Sequence, residues 1–145
     1  MQPSNDYLFD SPEDFNNEEE LINRIKSAKE YVENSLTYLY IDFIEETVLL
    51  CADSGYNEDG LKLSNAVLEV LPFNADFWQY KGIFCNNLFN FEEAYVCFNK
   101  AISFNPNDIE TLLNKAISEE NLELFSEAIT TLRTAQVIEP YNEEI

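Results

Sequence analysis

The sequence predicts an all-α solenoid, a stack of antiparallel helix hairpins, and three observations carry that prediction. Pro72, Pro106 and Pro140 stand 34 residues apart, and each is followed two positions later by a side chain able to cap a helix start, Asn74, Asp108 or Asn142. Small residues recur ahead of the prolines at offsets where the two helices of a hairpin must cross closely: Gly82 and Ala94 in the central unit, Ala116 and Ala128 in the next. Only three glycines are present, which suits helices and leaves no glycine-rich phosphate loop.

Taken in order, residues 1–17 carry Pro3, Ser4, Asn5, Ser11 and Pro12 with acids and no basic residue, and are expected to form a mobile or loosely docked arm. Its apolar Tyr7, Leu8, Phe9 and Phe15 are free to tuck onto a neighbouring surface, and it lacks the apolar run of a signal peptide. From Glu18 the pattern becomes helical: Leu21, Ile22, Ile25, Ala28 and Val32 share one face, and Glu18 to Glu20 sit where a helix dipole favours negative charge. Over 18–40 this segment reads either as an N-terminal capping helix or as the second helix of a degenerate repeat. Three units follow, 41–74, 75–108 and 109–142. Their helices are expected at 41–53 with 58–70, 76–88 with 92–104, and 110–121 with 126–138. Gly55, Asn57, Asn90 and Ser126 fall in the turns. The aromatic set Phe84, Phe91, Tyr95, Phe98, Phe104 and Phe125 is expected to pack inward or between hairpins.

The central unit, Ala75 to Asp108, reads ADFWQYKGIFCNNLFNFEEAYVCFNKAISFNPND. Its Trp78, Gly82, Ala94, Phe98, Ala101 and Pro106 resemble the W…LG…Y…A…F…A…P pattern of a tetratricopeptide (TPR) repeat, whose period is about 34 residues. It departs at Lys81, where the pattern has leucine, and at Cys85, where it has tyrosine. The first unit supplies Val48, Gly60, Val67 and Pro72 in the corresponding slots, and the third Ala116, Ala128, Leu132, Ala135 and Pro140. The resemblance implies a right-handed superhelical solenoid of three consecutive repeats, with ligands held against the first helices. The positions it assigns to the groove are Asp42, Glu45, Glu46, Leu49, Ala52 and Asp53 in the first unit. The second supplies Asp76, Gln79, Tyr80, Ile83, Asn86 and Asn87, and the third Glu110, Leu113, Asn114, Ile117, Glu120 and Asn121. No lysine or arginine is among them, so the basic clamp with which chaperone-binding TPR proteins grip a carboxyl terminus does not carry over. Asn86, Asn87 and Asn114 are suited to hydrogen-bonding an extended peptide backbone.

The formal net charge of −20 disfavours nucleic acid and anionic membrane surfaces and favours a protein or peptide partner of basic or neutral character. Histidine is absent, which removes the commonest general base near neutral pH and the commonest metal ligand, and no nucleotide-binding fingerprint occurs. The expectation is therefore no enzyme and no cofactor. Glu45–Glu46, Glu92–Glu93 and Glu119–Glu120 read as solvated faces, because adjacent helical residues point about 100° apart. Asn57-Glu58-Asp59-Gly60 imitates the middle of a calcium loop, but Gly55 and Ala66 stand where its first and last ligands belong. Cys51, Cys85 and Cys97 are an odd set that suits buried, reduced thiols in a cytoplasmic protein. Cys51 and Cys85 share a repeat slot, and a redox pair between them is the alternative. Two functions are left: a non-catalytic protein-interaction module or scaffold, and a self-assembling segment of a longer array or homo-oligomer. The latter rests on Ile145 lying three residues after Asn142, with the face of the last hairpin left for a second copy, further repeats or the chain's own tail.

Overall fold

The computed structural model describes residues 12–140, so Tyr7, Leu8, Phe9 and the cap expected at Asn142 lie outside the described residues. Within them the chain forms seven helices: α1 (Pro12–Glu33), α2 (Ile41–Ser54), α3 (Asn57–Val70), α4 (Ala75–Asn87), α5 (Phe91–Phe104), α6 (Ile109–Asn121) and α7 (Phe125–Ile138). The first helix starts at Pro12, six residues before the apolar pattern begins at Glu18. Proline is at home in a first helical turn, where its missing N–H has no intrahelical partner to lose.

Recurring local chemistry sets the other ends. Each second helix stops two residues short of its proline. Leu71, Asn105 and Glu139, the residues before those prolines, take φ of −129°, −140° and −130° with ψ of 67°, 83° and 84°, because the proline ring excludes the helical conformation there. The first helices end on a left-handed residue that recurs every 34 positions: Gly55 (φ 78°), Phe89 (φ 63°) and Glu123 (φ 61°). In each case the next N–H reaches back five residues, Tyr56 to Cys51, Asn90 to Cys85 and Leu124 to Glu119, closing a Schellman-type end. Asn74 and Asp108 cap α4 and α6 as expected, their side chains accepting from the N–H groups of Phe77 and Thr111, and Asn90 caps α5 in the same way.

Each second helix packs on the next first helix, α3 on α4 and α5 on α6. First helices also touch one another, α2 with α4 and α4 with α6, whereas α3 does not reach α5 and α5 does not reach α7. The stack is therefore tighter on the first-helix side, and that side is concave. Helix α1 lies against both α2 and α3, a set of neighbours no second helix of the stack has. It is tied in by Tyr31, whose ring stacks on Tyr40 at 3.8 Å, and by Leu21, Ile25 and Ala28, which are buried with Ile44, Val48 and Leu63.

The hairpin crossings are jigsaw-packed, with one correction to the expected pairing. Gly82 faces the ring of Phe98 rather than Ala94: a Cβ at Gly82 would lie 2.5 Å from that ring. Gly60 likewise leaves room for the ring of Phe84 from the next hairpin. Where the central unit pairs Gly82 with Phe98, the corresponding residues are Val48 and Ser64 in the first and Ala116 and Leu132 in the third. Small opposite large is kept while the members trade places, which holds volume constant at the crossing.

Two further expectations are corrected here. Glu119 is fully buried, not solvated: its Oε1 accepts from the Thr131 hydroxyl at 2.7 Å and lies 3.8 Å from Lys115 Nζ. Phe125, expected to pack, is 60% exposed at the start of α7, where no further hairpin covers it among the described residues.

Candidate functional site on the first-helix face

The first helices bring carboxylates from three hairpins into one electrostatic neighbourhood. Burial raises the Glu45 carboxyl above its usual value, and the negative charges of Asp42 on its own helix and Asp76 on the next raise it further. Tyr80 stands in the middle of α4. Burial, then the charges of Asp76, Glu110, Asp53 and Asp108, push its phenol above the ordinary range and keep it protonated as a hydrogen-bond donor. The charge of Asp108 reaches this face from the N-cap of α6, a position the repeat pattern reads only as a cap. Apolar groups lie among the acids: Leu49 is 43% and Ile117 46% exposed, and Ile83 and Leu113 are half-buried. The surface is thus an acidic strip with apolar contacts and one phenol, suited to attract cations and to hold side chains that are part aliphatic.

Not every groove position predicted from the sequence is free to meet a ligand. Gln79 is 7% exposed and belongs to the interior. Glu46 pairs with Arg24 of α1 at 2.8 Å, and the same guanidinium donates to Thr47 Oγ1 at 2.9 Å and lies 4.0 Å over the Phe43 ring. Asn86 is committed between hairpins: its amide donates to the Asn114 carbonyl, and its oxygen accepts from the Ser118 hydroxyl at 2.9 Å. The Asn87 amide donates to the Asn57 side chain at 3.0 Å. These amides hold neighbouring hairpins in register. Arg24 was not legible as part of this face, because α1 carries no repeat register.

Elsewhere, Cys51, Cys85 and Cys97 are all buried free thiols. The thiol beside Cys85 is that of Cys97 across the same hairpin, not that of Cys51. A crevice of about 440 Å³ between α1 and α3 is lined by Ile22, Ile25, Lys26, Lys29, Tyr56 and Asp59, and Lys29 is paired there with Asp59. Lys81, which departs from the repeat pattern, lies 5.5 Å from the Trp78 ring and reaches Glu93 at 3.3 Å, its stem covering apolar surface. No group of three or more metal-ligating side chains occurs among the described residues, and none of their helices is long and apolar enough to cross a membrane.

The hairpin geometry, the 34-residue recurrence of caps and stops, and the concave first-helix face together define a solenoid of the tetratricopeptide-repeat fold. No family model matches it. A TPR repeat-containing protein of Methanocaldococcus jannaschii is 34% identical over 76 residues, 52% of this chain, and the match spans only 13% of that much longer protein. The same fold is found in the TPR domain of Arabidopsis OM64 (TM-score 0.68, 18% identity, 71% of this chain and 85% of that one). It is also found in MamA from Desulfovibrio magneticus RS-1 (TM-score 0.72, 12% identity, 88% of this chain and 71% of that one). A third likeness is the first TPR domain of RPAP3, solved with an HSP90 peptide SRMEEVD (TM-score 0.67, 17% identity, 70% of this chain and 80% of that one).

Proposed function

We propose that this chain is a non-catalytic protein-interaction module whose first-helix face holds a basic or neutral peptide or helix. One observation carries the reading: carboxylates from all three hairpins surround Tyr80, while Arg24, which reaches the face from α1, is already paired with Glu46. The RPAP3 domain of the same fold is solved with a peptide ending in two glutamates, a valine and an aspartate. A strip of like charge would repel such a ligand here and steer a cationic one in, at a rate that salt suppresses over a screening length of about 10 Å at 0.1 M.

The test is fluorescence anisotropy with two labelled peptides, one Lys/Arg-rich and amphipathic, the other acidic at its carboxyl end, each at low and high salt. The basic peptide is expected to bind and to weaken with salt. The triple variant Glu45→Ala, Asp76→Ala, Glu110→Ala should weaken that binding with its helical circular dichroism intact. Tight capture of the acidic peptide, or an affinity indifferent to salt, would contradict the electrostatic reading.

A second reading, self-assembly through the last hairpin, has its own support. Ile129 of α7 is 50% exposed, whereas its repeat equivalents Leu61 and Tyr95 are partly covered by the next first helix. Analytical sedimentation across a concentration series separates the two: a monomer at every concentration rules the second out.

A further inference from the structure

Second helices stand apart where first helices touch, so a groove of about 270 Å³ opens between α5 and α7, with α6 beneath it. It is lined by Tyr95 of α5, Lys115 and Glu119 of α6, and Ser126, Glu127 and Thr131 of α7. None of these residues is among the positions of the acidic strip. Glu119 has no exposed surface, yet it is under-bonded. Its Oε1 accepts from the Thr131 hydroxyl at 2.7 Å, whereas Oε2 has no hydrogen-bond partner among the described residues. Lys115 Nζ is 3.8 Å from Oε1, an ion pair too long to be a hydrogen bond. A buried carboxylate in that condition is costly unless something donates to it.

The other repeats show what is missing. Asp59, Glu93 and Glu127 share one repeat slot, in the first turns of α3, α5 and α7. Asp59 is paired with Lys29 and Glu93 with Lys81, but Glu127 has no ion pair among the described residues. Lys115, the repeat equivalent of Lys81, is turned to Glu119 instead. The groove therefore holds two carboxylates and one lysine. Residues 1–11 and 141–145 contain no lysine or arginine to make up the difference.

We infer that the groove between α5 and α7 is a second binding site, one that takes the side chain of a lysine presented by a partner protein. Only Oε2 of Glu119 is open to a donor, because Thr131 already occupies Oε1. A guanidinium fork seeks both oxygens of a carboxylate, whereas an ammonium donates from a single point. Two carboxylates fall short of the ligand set of a metal ion, and no group of three metal-ligating side chains occurs among the described residues. The half-buried Tyr95 ring offers apolar surface to the aliphatic stem, and the exposed Glu127 carboxylate draws the cation in. Oε2 is closed to solvent, so the incoming ammonium displaces Lys115, whose own pair with Glu119 is long.

The probe is lysine capped by acetyl and methylamide groups, titrated into the full isotope-labelled chain and followed by backbone amide chemical shifts. Saturable shifts are expected at Tyr95, Glu119, Ser126 and Thr131. Capped norleucine, which keeps the stem and lacks the charge, should cause none, and capped arginine should bind more weakly. Glu119→Gln keeps an acceptor for Thr131 while removing the charge, and should weaken binding about tenfold or more. Glu127→Gln changes an exposed side chain, should weaken binding about twofold to fivefold, and keeps the test open if the buried variant does not fold. Lys115→Met removes the competing cation and should tighten binding. The triple variant Glu45→Ala, Asp76→Ala, Glu110→Ala should leave it unchanged, which separates this site from the concave strip. Shifts that spread over the acidic surface without saturating, or capped arginine binding as well as lysine, would overturn the assignment. So would weaker binding by Lys115→Met, or a wild-type chain that does not respond.

Discussion

The second and third hairpins share a backbone plan and fill it with different chemistry. At the facing positions deep in the crossing, the second has Cys85 against Cys97 and the third Glu119 against Thr131. At the contact with the preceding hairpin, the second inserts the ring of Phe84 over Gly60. The third instead puts Ser118 at that position and bonds it to Asn86. The second is held by apolar fit, the third by buried hydrogen bonds over a thinner set of Leu112, Ala116, Ala128 and Ala135. A repeat position thus specifies which atoms must be complementary, not whether the complement is volume or a donor–acceptor pair. Apolar burial stabilises in proportion to area, while a buried hydrogen bond contributes little net and is costly to leave half-made.

The largest break in this comparison is expected from removing the ring that fills the central crossing. Phe98→Ala should cost about 3–5 kcal/mol, because Gly82 offers nothing to fill the cavity. Leu132→Ala, at the corresponding and only half-buried site of the third hairpin, should cost less. Urea melts of both variants would show it, and equal losses would mean the two crossings are not packed differently. Next comes the polar pair. Thr131→Val leaves the buried Glu119 carboxylate without its hydroxyl donor, while Oε2 already has no partner among the described residues, at a cost of about 1–3 kcal/mol. Adding Glu119→Leu to that variant should restore much of the loss, since replacing both partners by apolar groups removes the desolvation penalty. If the double variant is no more stable than the single one, Glu119 matters for something besides Thr131.

A smaller effect sharpens the comparison of helix ends. Phe89 holds the left-handed position that Gly55 holds in the first hairpin, although it is 79% exposed and touches chiefly Phe91 edge-on. Phe89→Gly is expected to raise stability by about 0.5–1 kcal/mol, as the strain of a side chain at positive φ is relieved. A lower melting temperature would show that the ring contributes more than the strain it causes.

The smallest effect belongs to the acidic strip. Burial, Asp42 and Asp76 raise the folded-state pKa of Glu45 above the ordinary 4.5, so the folded chain binds its proton more tightly than the unfolded one. The ionised form is therefore the less stable one, and stability declines as pH climbs from about 4.5 through the raised value. Glu45→Gln should flatten that part of the pH profile and leave the chain no less stable at pH 7. Thermal midpoints at pH 4 and pH 7 would detect it, and a marked loss at pH 7 would mean the charge is satisfied rather than strained.

Local chemistry determined where the helices of this chain start and stop. The prolines at 72, 106 and 140 exclude helix from the residue before them, and Asn74 and Asp108 can cap only the residues just after them, so these marks need no distant partner. The 34-residue spacing also put Asp76, Tyr80 and Glu110 on first helices, because a helix face follows from its register. Which of those side chains is free was decided by what lies across the stack. Arg24 reaches Glu46 from twenty-two residues away, Asn86 is engaged by Ser118, and Glu119 is closed in by Thr131. Likewise a repeat offset paired Cys51 with Cys85, but the tertiary crossing sets Cys97 beside Cys85. Spacing along one chain fixes direction around a helix axis. Contact between helices depends on the volumes of both partners, and only the packed structure supplies those together.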